Sequence, residues 1–202
     1  MELYGNGHSP ATHSIRMLCG ELESECDYFE IGLGATEPWL PEPLNPECRS
    51  PMLEDDGFLL AETNAILIYL AETSHNDLWY PTTQPDRALI HQWLSWQNSR
   101  LAPQVAQLAW QRRYAPDAAR NEAQTQQAER WLNTLLPELE QRLQNREQLC
   151  TAHLTIADLA VAVQIDDLTT SGYALNHYPN TLRWLTTITT RPTYSRPHPP
   201  AE

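Results

Sequence analysis

The sequence predicts an α+β protein: a small mixed domain of short strands and helices over residues 1–75, followed by an all-α helical-bundle domain over residues 84–202. Three observations carry that expectation. Strand-like runs are confined to the first part of the chain. An acidic Asp-Gly turn between two of them reads as a hairpin. Beyond a polar, proline-bearing stretch, the apolar residues recur only at helical spacing.

In chain order, Glu2 to Gly5 reads as a strand, Pro10 to Leu22 as a helix, and Tyr28-Phe29-Glu30-Ile31 as a second strand. Met52-Leu53-Glu54 and Phe58-Leu59-Leu60 stand either side of Asp55-Asp56-Gly57, and Ile66, Tyr69 and Leu70 then carry a helix through to Glu72. The order β-α-β, irregular segment, β-β-α matches a thioredoxin-like fold. Ser74 to Pro85 reads as a linker. After it come four apolar stripes. The first is Leu94, Leu101, Val105 and Leu108, with Pro103 expected to bend that helix. The second is Leu132, Leu135, Leu136, Leu139 and Leu143, the third Ile156, Leu159, Ala160 and Val163, and the fourth Leu182, Leu185 and Ile188. All four read as helix faces turned to a core. The proline-bearing tail after Arg191 reads as irregular.

Composition narrows the function. The 202 residues carry a formal net charge of -13, and a surface of that sign repels phosphate backbones, which disfavours nucleic acid as a partner. Arginine supplies all the fixed positive charge, since the chain has no lysine; Schiff-base and P-loop lysine chemistry are thereby excluded. The most apolar stretch, Leu154 to Ile165, is short and interrupted by Asp158 and Gln164, so no membrane span is expected. Met1 to Gly5 shows neither a basic region nor a long apolar run, against a secretory signal. Cys19, Cys26, Cys48 and Cys150 form no CxxC pair. That reads as neither a zinc site nor a disulfide framework, and it fits a reducing, cytoplasmic setting. His8 and His13 lack ligand companions, so no metal is expected.

The chemistry points to His8-Ser9-Pro10-Ala11-Thr12, where the first strand hands over to the first helix. Redox proteins of thioredoxin-like fold place Cys-Pro-x-Cys at this corner. Here the tetrapeptide is Ser9-Pro10-Ala11-Thr12, so dithiol exchange through a CxxC is excluded at this position. What remains is a hydroxyl at a helix N-terminus, whose free N–H groups and partial positive charge favour an anion. The plain alternative is that Ser9 only caps the helix ahead of a favoured proline.

A wider pattern follows: Asn45-Pro46, then Ser50-Pro51 opening the acidic hairpin, then Glu62-Thr63 heading a helix that reaches Tyr69-Leu70. The second domain adds Thr155-Ile156-Ala157-Asp158 as a capping box and a closing segment with Tyr178-Pro179-Asn180, Trp184 and Arg191-Pro192. Taken in order over nearly the full length, these motifs resemble the cytosolic glutathione transferases, and the serine corner resembles their theta- and phi-like classes.

The resemblance implies a cytoplasmic homodimer that conjugates the glutathione thiolate to small hydrophobic electrophiles, with glutathione as co-substrate. Ser9 then activates the thiol, Tyr4 being the rival hydroxyl because some classes use a tyrosine at the end of the first strand. Pro51 becomes the cis-proline of the fold, and Ser50 pairs its backbone with the cysteinyl residue of glutathione. Thr63 and the helix end behind it bind the γ-glutamyl carboxylate, and Glu62 takes the ammonium; an ordinary acidic helix start is the plain alternative. Arg49 stands where the family has glutamine or lysine and is the candidate for the glycyl carboxylate. Thr63 in place of the commoner serine, and a proline-rich segment from Gly34 to Pro43 without basic residues, depart from the pattern. Trp110, Arg113 and Tyr114 are the analogous candidates for the electrophile. Thr155 and Asp158 read as folding residues, and Asp166-Asp167 as a solvated helix end. Glutathione-dependent peroxide reduction or dehalogenation, and a non-catalytic ligand carrier or scaffold, are the alternative functions.

Overall fold

The computed structural model describes residues 1–32 and 50–194. It divides into two compact units, Met1–Asp77 together with the segment from Pro192, and Leu78–Arg191.

The first unit contains β1 (Glu2–Gly5), α1 (Pro10–Glu21), β2 (Asp27–Glu30), β3 (Met52–Asp55), β4 (Phe58–Ala61) and α2 (Thr63–Thr73). Its sheet is four-stranded in the order β2-β1-β3-β4. β1 runs parallel to β2 and antiparallel to β3, and β3 runs antiparallel to β4. This is the thioredoxin-like arrangement expected from the sequence. Leu3 and Leu53 are register partners and sit 1% and 0% exposed. α1 adds buried Ile15, Met17 and Leu18, and α2 adds Ile66, Leu67 and Leu70. Each such side chain contributes about 1.5–3 kcal/mol before the cost of ordering it.

The hairpin follows from its turn residues. Asp55 still pairs with Phe58, which leaves the two-residue loop Asp56-Gly57 at φ 49 and 86. Positive φ at both positions is what a two-residue hairpin requires and what an Asp-Gly pair supplies. The Glu54 carboxylate accepts the Gly57 N–H at 2.6 Å and closes the turn.

The second unit is helical: α3 (Gln84–Trp96), α4 (Ala102–Ala109), α5 (Glu122–Leu143), α6 (Ile156–Thr170) and α7 (Pro179–Thr189). α6 is buried nearly all round and packs against α3, α4 and α7, which makes it the centre of the unit. Pro103 does not simply bend a helix. A π-helical turn, Gln97–Leu101, precedes it, and Pro103 falls in the first turn of α4. The wide turn takes up the missing N–H, and a second one, Trp110–Tyr114, ends α4. The first three apolar stripes are buried as expected. In α7 the buried face is instead Thr181, Trp184, Leu185 and Ile188, and Leu182 is exposed. That register lets Thr181 donate its hydroxyl to the Glu140 carboxylate at 2.8 Å, and that carboxylate also accepts the Asn180 and Thr181 N–H groups.

Thr155 and Asp158 form the capping box at the start of α6. Asp158 does more than cap. It is fully buried and accepts from the Thr155 N–H and hydroxyl, the Leu149 N–H and the Trp184 indole, all at 2.9–3.0 Å. Burial raises its pKa against the pull of those donors.

Candidate functional site

Strand direction assembles the site. The register sets Tyr4, Met52 and Ala61 side by side across β1, β3 and β4. The corner after β1, the entry to β3 and the exit from β4 therefore share one end of the sheet. Ser9, Ser50-Pro51 and Glu62-Thr63 lie on those three connections, so the fold brings together residues separated by more than fifty positions in sequence.

The corner is built on Asn6. Its Nδ2 donates to the Ile31 carbonyl at 2.9 Å, and its Oδ1 accepts the His8 N–H at 2.9 Å. The Glu30 carboxylate receives the Gly7 N–H at 3.0 and 3.1 Å. The Tyr28 hydroxyl lies between that carboxylate and the Gly5 carbonyl, and Arg16 covers the Tyr28 ring at 4.3 Å. A Cβ on Gly5 would stand 2.6 Å from Thr12 Oγ1 and one on Gly7 2.9 Å from Glu30 Oε2, so both glycines permit close approach. Thr12, last of the Ser-Pro-Ala-Thr tetrapeptide, is buried against Gly5, and its hydroxyl has no hydrogen bond.

Ser9 is the N-cap of α1 by backbone, at φ -80 and ψ 127, and Pro10 opens the helix. Its hydroxyl makes no capping hydrogen bond. The half-buried hydroxyl thus stands beside the unpaired N–H groups of the first turn without being consumed by them. Tyr4 is arranged differently. Its hydroxyl donates to Glu2, its ring stacks on Phe29 at 5.0 Å, and its pKa is pushed up to about 12, first by the bond to Glu2 and then by burial. A phenol committed to a carboxylate is a poor donor to sulfur.

On the other two connections, the Ser50–Pro51 bond is cis, with Pro51 buried and Ser50 exposed. Glu62 caps α2 from the left-handed region, at φ 73 and ψ 114, with its side chain exposed. Such a backbone costs a non-glycine residue about 1–3 kcal/mol and concentrates at ligand sites. Thr63 is half-buried and opens α2, whose first turn carries no acidic residue. Arg49 lies outside the described residues.

In the second unit Trp110, Arg113 and Tyr114 share the π-helical turn that ends α4. Trp110 is 50% exposed. Arg113 is held: it pairs with Asp167, donates to the Tyr114 hydroxyl at 2.7 Å and lies over the Tyr114 ring at 4.9 Å. The Tyr114 hydroxyl, with a lone pair committed to Arg113, keeps its proton for another acceptor, and burial raises its pKa. The expectation that Asp166-Asp167 is a solvated helix end is corrected, because Asp166 is 5% exposed and Asp167 faces Arg113. Arg112 supports the same turn through the Ser171 carbonyl at 3.0 Å and Glu129. Among the described residues no group of three or more His, Cys, Asp or Glu is placed to hold a metal ion.

Sequence reading missed Asn6, Tyr28 and Glu30. The available signal was Gly5-Asn6-Gly7, a turn composition that marks close backbone approach.

A thioredoxin-like unit with a hydroxyl corner, followed by a helical unit, defines the class. Known proteins fix the family. The model of the glutathione S-transferase N-terminal domain matches residues 1–72, and that of the glutathione S-transferase C-terminal domain matches residues 101–192. The chain is 26% identical over 188 residues to glutathione S-transferase D6 of Drosophila melanogaster, covering 91% of this chain and 85% of that one. The glutathione transferase URE2P5 of Phanerochaete chrysosporium superposes with a TM-score of 0.87 at 27% identity, over 96% of this chain and 90% of that one. The same protein cocrystallized with 1-(S-glutathionyl)-2,4-dinitrobenzene gives 0.85 at 26% identity, over 96% and 90% of the two chains. A theta class transferase of Xanthomonas axonopodis pv. citri with glutathione bound shares the fold, at a TM-score of 0.89 and 24% identity over 97% and 95%. The chain belongs to the glutathione S-transferase family and is an enzyme of that family. Among the described residues no helix is long and apolar enough to cross a membrane.

Proposed function

We propose that the chain conjugates glutathione to small hydrophobic electrophiles in a detoxifying role, with Ser9 as the catalytic hydroxyl. The observation that carries this reading is the uncommitted Ser9 hydroxyl at the start of α1, set against the Tyr4 hydroxyl that Glu2 already holds. A free thiol of cysteine type ionises near pH 8.5. Lowering that by two units takes about 2.7 kcal/mol of preferential thiolate stabilisation. One hydroxyl donated to sulfur, beside the N-terminal N–H groups of α1, supplies energy of that order. The thiolate then attacks the electrophilic carbon and the leaving group departs with the bonding electron pair.

On this reading residues 1–75 form the glutathione domain and residues 84–202 supply the electrophile pocket. Ser50 meets the cysteinyl backbone beside Pro51, Thr63 and the α2 terminus hold the γ-glutamyl carboxylate, and Glu62 takes the ammonium. Arg49 serves the glycyl carboxylate, and Trp110, Arg113 and Tyr114 face the electrophile. On the same reading the chain is a theta- or phi-like transferase, which the serine at the corner supports, and a cytoplasmic homodimer. The conjugate named with the Phanerochaete structure selects the test substrate, a 2,4-dinitrophenyl halide. With glutathione present, the enzyme should release halide and form the thioether well above the uncatalysed rate. A rate equal to that of glutathione alone, from folded protein, would refute conjugation of this electrophile class.

A further inference from the structure

Two features that the function leaves unused, the histidine within α1 and the proline-bearing end of the chain, meet in the first unit. α7 ends at Thr189 and the second unit at Arg191; from Pro192 the chain belongs to the first unit. There Thr193 and Tyr194, both half-buried, pack on α1. The Thr193 hydroxyl donates to the Glu21 carboxylate in the last turn of the helix. Its methyl group rests on Gly20, where an added Cβ would stand 3.2 Å from Thr193 Cγ2. Glycine is a poor helix residue, and here its bare Cα admits the crossing segment. The Tyr194 ring meets the His13 ring with centroids 4.5 Å apart and planes tilted by 59°. His13 is 5% exposed. It lies about two turns before Gly20, on the same face of α1. Two consecutive residues from the far end of the sequence thus hold both ends of one helix.

We propose that Pro192 to Tyr194 form a strap for α1, and that Tyr194 is a positioning residue for the Ser9 hydroxyl, acting through His13. The path from ring to hydroxyl is short. The His13 N–H donates to the Ser9 carbonyl at 3.0 Å and closes the first turn of α1. On the other side the Ser9 N–H donates to the Asn6 carbonyl at 3.0 Å. The Ser9 hydroxyl makes no capping bond, so its placement depends on the backbone that carries it. Helix ends open more readily than helix centres, because their groups lack intrahelical partners. A ring packed from outside the helix on the residue that closes the first turn opposes that opening. Small displacements matter at a reacting centre, where 1 Å can cost about a hundredfold in rate. The positioning role rests on Ser9 as the thiol-activating hydroxyl; the strap does not.

The test pairs amide hydrogen exchange with the pH dependence of conjugation, in the full chain and in Tyr194→Ala, Tyr194→Phe and Thr193→Ala. In Tyr194→Ala the His13 amide and its neighbours at the start of α1 should exchange about three- to tenfold faster, roughly what one aromatic contact contributes, while α2 keeps its rates. Conjugation at neutral pH should slow by a similar factor, with its midpoint moved up towards the free thiol and the KM for glutathione nearly unchanged. Tyr194→Phe, which keeps the ring, should restore both. Thr193→Ala should speed exchange in the last turn of α1 and leave the midpoint in place, because its contacts lie two turns from the start of the helix.

Unchanged exchange in α1, or an equal rise in α1 and α2, would overturn the strap. A midpoint that moves in Ser9→Ala but not in Tyr194→Ala would overturn the positioning role alone. A midpoint that moves in neither would overturn the Ser9 reading and the positioning role with it, and exchange would still decide the strap.

Discussion

α1 begins at Ser9 and α6 at Thr155, and the two hydroxyls are used in opposite ways. At Thr155 the helix start is closed: Asp158 gathers the Thr155 N–H and hydroxyl, the Leu149 N–H and the Trp184 indole in a fully buried cluster. These donors are all met by the one carboxylate inside the protein. At Ser9 the backbone has the geometry of a cap, but the hydroxyl makes no capping bond. The supporting hydrogen bonds sit one step back, on Asn6, Gly7 and Glu30. The helix start at Thr155 spends its hydroxyl on stability, and on the proposed reading the one at Ser9 keeps its own for a ligand.

The largest effect should come from the closed end. Asp158→Ala strands several buried donors, each costing about 1–3 kcal/mol, so denaturant unfolding should show a loss of at least about 3 kcal/mol. A loss under about 1 kcal/mol would mean that water satisfies the cluster and that it is not closed. Next comes Thr63→Ala at the other helix start of the first unit. Removing one charge-assisted hydrogen bond costs about 1.5–3 kcal/mol, so calorimetry should show glutathione binding weakened roughly ten- to a hundredfold. Unchanged affinity with the fold intact would take Thr63 out of the site.

The comparison is sharpest in the stability of paired variants. Thr155→Ala, which removes a hydroxyl donated to the buried Asp158 carboxylate at 2.9 Å, should cost about 1 kcal/mol, whereas Ser9→Ala should cost under about 0.5 kcal/mol. Equal losses would show that Ser9 is an ordinary cap after all.

Several of these features were legible from residues alone because their causes are local. Asp-Gly specifies the two-residue hairpin whatever surrounds it, and Thr-x-x-Asp specifies a helix start. The serine corner could be placed because strand, loop and Ser-Pro occur in immediate succession. The rest depended on chain crossings. Glu30 reaches Gly7 only because β2 lies parallel to β1, and Arg113 meets Asp167 across 54 positions of sequence. Helical periodicity shows a stripe but not its rotation, so Leu182 was assigned inward when Thr181 holds that place.

If the chain is a homodimer as proposed, light scattering should return twice the chain mass of 23.1 kDa, and the chain mass itself across micromolar concentrations would count against it. The central claim, however, is the assignment of the thiol-activating hydroxyl. The most direct measurement is the pH dependence of glutathione conjugation to a 2,4-dinitrophenyl halide for the unmodified enzyme, Ser9→Ala and Tyr4→Phe. Ser9→Ala should cut the rate at neutral pH tenfold or more, a loss of about 1.4 kcal/mol or greater. It should move the midpoint upward towards the free thiol value of about 8.5 and leave glutathione affinity nearly unchanged. Tyr4→Phe, which removes a hydroxyl already bound to Glu2, should leave the midpoint where it was. A midpoint that rises in Tyr4→Phe and stays put in Ser9→Ala would contradict the assignment and return Ser9 to the role of a helix cap.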